Sequence, residues 1–211
     1  MTVLDLQVGA GANDGLWRDD EASYSNTGVT NNVGWLDTPN DQLYNWQRFT
    51  GISGLSGATI DVSYMDWTGT TANSPNAGGS FSQSILAEES AAPTAPTTAA
   101  DGNSRVTTTN SVVWSVALVN GNNRSPSLNT VIQEIADTYD PTVIQLFAKF
   151  VSADPNANRI NRPDSYDYDT TKAPKLHVEY TAGVGVSGEG VVRLGRRHGL
   201  LGGLRTRTTR L

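Results

Sequence analysis

Alternating hydrophobic and polar positions predict short β-strands along most of this chain. The clearest case covers residues 143–151, where Ile144, Leu146, Ala148 and Phe150 share one side and are expected to face the core. In residues 59–67, alternation places Ile60, Val62 and Tyr64 on one side and Asp61, Ser63 and Met65 on the other, and in residues 175–180 Leu176, Val178 and Tyr180 alternate with His177 and Glu179. Further strands are predicted at residues 3–8, 44–49 and 81–87 and around residues 112–114.

One segment has the period of a helix instead. Its apolar residues recur three or four positions apart, at Leu128, Val131, Ile132, Ile135 and Tyr139. Ser125 is suited to the N-cap and Pro126 to the first helical position, and Asp140-Pro141 should end the helix. The predicted fold class is therefore all-β: a jelly-roll β-sandwich with one short helix.

Two segments show neither the period of a strand nor that of a helix. Residues 23–39 are polar and rich in Asn, Thr and Gly, and predict a long loop around Trp35. Residues 88–102 form a Pro-, Ala- and Thr-rich stretch that is expected to be an extended, solvated excursion, with a domain linker as the alternative.

Charge divides the chain into two parts. Residues 182–211 hold six Arg and one Glu, a formal charge of +5, whereas residues 1–181 hold nine Lys and Arg against 20 Asp and Glu, which gives −11 and a total of −6. We therefore expect a sandwich domain at 1–181 and a Gly-, Arg- and Leu-rich arm at 182–211. The acidic body argues against nucleic acid as a ligand, because phosphate binding needs a basic surface.

The arm has three interpretations: a disordered tail, a nucleic-acid-binding tail, or an assembly arm that orders on a protein partner. Seven aliphatic residues from Val191 to Leu211, which a purely electrostatic tail does not need, favour the assembly arm. The glycine-rich start at residues 183–188 matches a dinucleotide motif only formally, since more glycines follow where a helix should begin, and it is interpreted as a hinge. The expected partner-binding residues are Arg193, Leu194, Arg196, Arg197, Leu200, Leu201, Leu204, Arg205, Arg207 and Arg210.

Several motifs occur in the order typical of one domain family. They are 44–49 (YNWQRF), 57–60 (GATI), 85–88 (ILAE), 125–128 (SPSL), 131–135 (VIQEI), 165–167 (SYD) and 173–180 (APKLHVEY). In this order they resemble the DNRLRE-type carbohydrate-binding-module-like jelly roll, over roughly residues 1–181. The resemblance implies a structural or binding role, in secreted bacterial surface proteins or in bacteriophage virions, and brings no catalytic residues with it.

Catalytic chemistry finds little support in the sequence. Cysteine is absent, which excludes thiol catalysis and disulfides, and a serine triad would need His177 or His198 without any nucleophile-elbow motif. Asp164, Asp167 and Asp169 lie close in sequence, but nothing marks two of them as a glycosidase pair. We therefore expect a protein that is not an enzyme and that needs no cofactor.

Two kinds of binding site remain as hypotheses. Trp17 and Trp35 lie in polar surroundings and are the candidates for stacking on a glycan, with a buried loop anchor as the alternative for each. The acidic residues Asp14, Asp19, Asp20 and Glu21 are candidates for a structural calcium site, with solvated loop acids as the alternative. No metal site is predicted beyond this.

The functional prediction combines the arm with the resemblance. The N-terminus has no basic region followed by an apolar stretch, and no apolar run approaches the ~20 residues that span a bilayer. We therefore expect synthesis in a host cytoplasm, no membrane partner, and residence in a virion. The expected role is a capsid decoration or accessory protein that binds the major capsid protein, other virion subunits or copies of itself. The alternative is a glycan-binding module on a phage tail or cell surface, with a host glycan as ligand.

Overall fold

The chain folds into two antiparallel β-sheets that pack face to face. The computed structural model describes residues 1–35, 42–151 and 159–183. These residues confirm the predicted all-β sandwich. The strands are β1 Thr2–Gln7, β2 Asp14–Arg18, β3 Tyr24–Ser25, β4 Val33–Trp35, β5 Gln42–Thr50, β6 Thr59–Gly69, β7 Asn76–Ala77, β8 Phe81–Ala87, β9 Val112–Val116, β10 Gly121–Arg124, β11 Val143–Phe150, β12 Arg159–Asn161 and β13 Lys175–Thr181, and the helices are α1 Ala99–Ser104 and α2 Asn129–Thr138.

The smaller sheet has four strands in the order β1-β13-β6-β10. The last strand, β13, therefore lies between the first strand and β6, with Thr2 opposite Tyr180 and Thr181 opposite Thr59. Alternation along β13 places Leu176, Val178 and Tyr180 in the core, as the sequence predicts.

The larger sheet has nine strands. Seven follow the order β7-β12-β4-β5-β11-β8-β9, and β2 and β3 extend it beside β5. The strands β5, β8 and β11 supply its centre and were all predicted from the sequence, β11 from its alternation. The strands β2, β3, β4, β7 and β12 have two to five residues each, too few for a period to be visible in the sequence.

The main core fills the space between the sheets and extends under α2. Phe49, Ile85 and Leu146 from the larger sheet meet Met65 and Trp67 from the smaller one. Helix α2 and its flanks add the predicted apolar stripe, in which Leu128, Val131, Ile132 and Ile135 are buried and Tyr139 is partly buried against the core. Ala136, which was not predicted, is buried beside them. Burial of such side chains contributes about 1.5–3 kcal/mol each before the entropy cost of folding.

The outer face of the larger sheet is also covered. As predicted, Ile144, Leu146, Ala148 and Phe150 of β11 face the main core, but Phe147 on the other side is equally buried. It packs in a second, smaller cluster with Trp17, Trp46 and Ala99.

The cover comes from residues 88–104, so the prediction of a solvated excursion there was wrong. Pro93, Pro96 and Ala99 are buried, and the segment ends in the unpredicted helix α1. The Tyr24 hydroxyl donates to the carbonyl of Pro96, and Arg48 Nε donates to that of Pro93 at 2.7 Å. These bonds hold an irregular segment flat against the sheet without any periodic pattern.

Helix α2 begins three residues later than predicted from its capping residues. Leu128 stands at the N-cap without a side-chain cap, and the helix starts at Asn129. Residues 125–128 instead continue alongside β6, because the amides of Ser125 and Leu128 donate to the carbonyls of Met65 and Ser63. The Ser125 hydroxyl accepts from the amide of Met65 at 2.9 Å, so it serves the strand and not the helix.

The predicted loop at residues 23–39 is only partly a loop. It contains β3 and β4, and β4 places Gly34 and Trp35 beside β5 and β12. Residues 36–39 of this prediction lie outside the described residues.

Candidate functional surfaces

The predicted partner-binding residues, from Arg193 to Arg210, all lie outside the described residues. The structure does describe the point at which the chain leaves the sandwich. Thr181 ends β13 opposite Thr59, and Gly183 lies so close to the backbone of Gly57 that a Cβ there would collide with the Gly57 carbonyl oxygen. The arm therefore leaves beside the turn that precedes β6.

Trp17 is an internal anchor and not an exposed sugar platform. Its side chain is fully buried, and its ring meets Phe147 edge-to-face at 5.6 Å between centroids. The indole Nε1 donates to Asn103 Oδ1 at 2.7 Å, and Gly102 packs against the ring so closely that a Cβ would fall 2.8 Å from Cε2. The glycan hypothesis for Trp17 is therefore wrong in this conformation, because no face of the ring is open to a ligand.

Trp35 differs from Trp17 in its exposure. It ends β4 and is half-buried, with its ring edge-on to Phe150 at 5.7 Å between centroids. It packs on the main core from the rim of the larger sheet. Part of this side chain is therefore accessible from outside.

The four acidic residues proposed for calcium serve separate purposes. Asp14 is buried and accepts from Asn31 Nδ2 and the Tyr166 amide, both at 2.9 Å. Asp19 accepts from the Gln42 amide at 3.0 Å, Asp20 pairs with Arg18 at 2.7 Å, and Glu21 accepts from Asn103 Nδ2 at 3.5 Å. Within the described ranges, no three His, Asp or Glu side chains form a group that could hold a metal ion.

A surface groove lies along α2, and the sequence had not indicated it. It has a volume of about 470 Å³ and runs between the exposed side of the helix, the start of β6 and the loop before β9. Its lining residues are Ile60, Asn110, Asn129, Thr130, Gln133, Glu134, Asp137 and Thr138.

Fixed hydrogen bonds shape this groove. Gln133 bridges helix and strand, because its Nε2 donates to the Ala58 carbonyl and its Oε1 accepts from the Ile60 amide, both at 2.8 Å. Glu134 accepts from the amides of Thr109 and Asn110 at 2.7 and 2.9 Å. Partial burial by itself would raise the pKa of Glu134, but these bonds outweigh it and the pKa lies below its ordinary value. The carboxylate therefore stays charged at neutral pH.

A second polar surface lies on the outer face of the smaller sheet. There the His177 ring is held between two carboxylates, with Nδ1 2.6 Å from Asp5 and Nε2 3.1 Å from Glu179. Although burial acts the other way, these two carboxylates raise the pKa of His177. The imidazole stacks on Tyr64 at 4.6 Å, and Arg124 lies over the same Tyr64 ring at 3.6 Å. Cross-strand register, not sequence proximity, brings these residues together.

Comparison with known proteins gives no relative from which a role could be transferred. No family model matches the chain, and no curated protein matches it. Among the described residues, no helix is long and apolar enough to cross a membrane. The class of protein is therefore defined by the fold itself, an antiparallel β-sandwich with an acidic body.

Proposed function

We propose that this protein is a non-enzymatic bacteriophage virion protein, a capsid decoration or accessory subunit anchored by its C-terminal arm. The observation that carries the proposal is the division of charge: −11 on residues 1–181 against +5 on residues 182–211. An acidic body with a basic, Leu-containing terminal segment is suited to docking through that segment.

The architecture supports a separate role for the arm. Among the described residues, β13 pairs with β1 and β6, and Tyr180 is the last residue of the chain that belongs to the main core. These pairings and this core are formed by residues that precede the arm. In the proposed arrangement the arm binds the major capsid protein, another virion subunit or a second copy of this chain, and the body projects from the particle. Synthesis takes place in the host cytoplasm, and the virion is the final location.

The test is a phage genome in which the reading frame ends after Thr181. We expect virions to lose this protein, measured by quantitative mass spectrometry of purified particles, while the shortened chain keeps its far-UV circular dichroism. A matched variant with all six Arg of the arm changed to Lys retains the charge and should lose less. Normal incorporation of the shortened chain would show that the arm is not the anchor.

A glycan-binding module remains the second candidate, and the partial exposure of Trp35 is the observation that favours it. Aromatic rings with one accessible side are common stacking partners for ligands. A glycan array of the full chain and of Trp35→Ala tests this role directly. Specific binding that Trp35→Ala abolishes would support it, and an array without signal would leave the structural role alone.

A further inference from the structure

The groove along α2 lies near the point where the arm leaves the body. Gly183 packs against the backbone of Gly57 and Ala58, and the Ala58 carbonyl accepts from Gln133, which lines the groove. The Thr181 hydroxyl donates to Asp61 Oδ2 at 2.9 Å, while the Asp61 carbonyl accepts from Asn129 Nδ2 at 2.8 Å. Ala58 and Asp61, around the start of β6, therefore each connect the end of β13 to the helix that lines the groove.

The charge of the groove complements the charge of the arm. Glu134 and Asp137 lie in the groove and Asp61 lies between the groove and Thr181, whereas the described lining includes no Lys or Arg. Asp137 is exposed and is held by Gln133 Nε2 at 2.7 Å. Residues 184–211 carry six Arg and one Glu. Arg side chains pair with carboxylates through two parallel hydrogen bonds, and their stems can pack on an apolar residue such as Ile60.

The chain between Gly183 and the first arginine of the arm is long enough to reach the groove and short enough to keep the arginines near it. Nine residues lie between Gly183 and Arg193, so the step from one to the other spans ten residue lengths, up to ~33 Å at about 3.3 Å each. Two groups linked by a connection of this length have an effective concentration in the millimolar range. Weak individual ion pairs then suffice to keep the segment on the groove, because the covalent link has already removed most of the entropy cost of bringing the two together.

We propose that the α2 groove binds residues 184–211 of the same chain in the free protein and holds the arm on the body until a virion partner displaces it. This storage rests on the proposed function, in which the arm is the docking element. It gives the acidic groove a ligand, the Arg-rich segment, and makes free subunits less prone to self-association before assembly.

The experiment uses the full chain, which contains no cysteine. Thr206→Cys receives a nitroxide label, and the ¹⁵N spectrum reports paramagnetic broadening. We expect the amides of residues 58–61 and 130–138 to lose at least about half of their intensity, and Asp137→Lys to restore most of it. Glu21→Lys, the same charge change at an exposed position on the β2–β3 turn, should leave the broadening unchanged. Broadening spread evenly over the surface, or insensitive to Asp137→Lys, would overturn the proposal.

A mixed sample shows whether the arm on the groove comes from the same chain or from a neighbouring copy. Labelled ¹⁴N chain is added to unlabelled ¹⁵N chain, so any broadening comes from a neighbouring copy. Broadening of the groove in this mixture as strong as in the single-chain sample would replace storage on the same chain by an exchange between copies.

The two proposals fail in different ways. If groove broadening is absent but the chain ending at Thr181 is still lost from virions, storage is wrong and anchoring stands. If the shortened chain enters virions normally, anchoring is wrong whatever the spectra show.

Discussion

Asp14 is the most perturbed carboxyl group in the described part of the sandwich. Burial raises its pKa from 3.8 to about 6, although the Tyr166 amide and the Asn31 side chain act in the opposite direction. Desolvation of the charged form thus outweighs two hydrogen bonds. Through these hydrogen bonds, Asp14 joins β2 to the segments around Asn31 and Tyr166. The cost is that its buried carboxyl group is charged above about pH 6.

The free energy of unfolding should therefore fall as the pH rises from about 4 to about 7. Between the unfolded pKa of 3.8 and the folded pKa of about 6, the folded protein holds a proton that the unfolded chain has released. The shift of about two units corresponds to about 3 kcal/mol. Asp14→Asn keeps an acceptor oxygen without the charge, so its advantage over the natural protein should grow by about 2–3 kcal/mol over this range. Urea unfolding at several pH values measures this difference.

Parallel pH profiles for Asp14→Asn and the natural protein would contradict the assigned role of Asp14.

At the scale of elements, residues 88–105 show what alternation can and cannot predict. Strands β11 and β13 and the stripe of α2 followed from periodicity, because each has one side in the core. For β6, alternation predicted the strand but not its inward side, since Ser63, Met65 and Trp67 are buried and Val62 is exposed. The covering segment had no period, since its contacts are made by prolines, backbone carbonyls and Gly102 against Trp17. The burial of Trp17 could not be predicted for the same reason: its partner, α1, is about 85 residues away in sequence and only six residues long.

The candidate surfaces were still less predictable. The groove exists because Gln133 and Glu134 on α2 reach backbone groups near residues 58–60 and 109–110. Such contacts depend on register and packing, which a single sequence does not specify. Net charge can be predicted more easily, because it is a sum over the residues of a segment. The charge of +5 on residues 182–211 therefore follows from the sequence alone.

Arg105 is the ionic link that holds the covering segment. It contacts Glu88 at 2.9 Å and Asp101 at 2.8 Å, with its side chain 16% exposed. Arg124 makes a similar paired contact with Asp66, but its side chain is 54% exposed. Arg105→Ala should lower the free energy of unfolding by about 2–4 kcal/mol, because it leaves the buried Glu88 carboxylate without its cation. Arg124→Ala should cost under about 1 kcal/mol.

Glu88→Gln in the Arg105→Ala background tests the cause. Burial already raises the pKa of Glu88, and Arg105 acts against this. Removing the unpaired charge should recover part of the loss in chemical denaturation. Equal losses for the two single Arg variants would show that the link is no stronger than a surface pair.

For the molecule as a whole, β11 makes the two hydrophobic clusters one cooperative unit. Alternate residues of this strand enter the main core, while Phe147 enters the smaller cluster with Trp17 and Trp46. Because one strand supplies both, neither cluster can lose its packing while the other stays intact. Trp67 and Trp114 report on the main core, where their rings lie 4.9 Å apart.

Protein labelled with 5-fluorotryptophan should therefore unfold with a single midpoint at every resonance. The five tryptophans give separate ¹⁹F signals, and both clusters are represented among them. Each signal is followed in urea and compared with far-UV circular dichroism. An earlier midpoint for Trp17 and Trp46 alone would mean that the covering segment melts by itself.

The pairing of β1 with β13 makes the two ends of the sandwich different from each other. Thr2 lies opposite Tyr180, so the amino terminus and the arm emerge at the same end. The other end carries Gly69 and Gly121, which face each other across β6 and β10. In the proposed arrangement, a protein fused ahead of Met1 would lie at the anchored end of the body. A peptide inserted in the turn at Gly121, where φ is +99° and a Cβ would meet nothing within 4 Å, would lie at the opposite end.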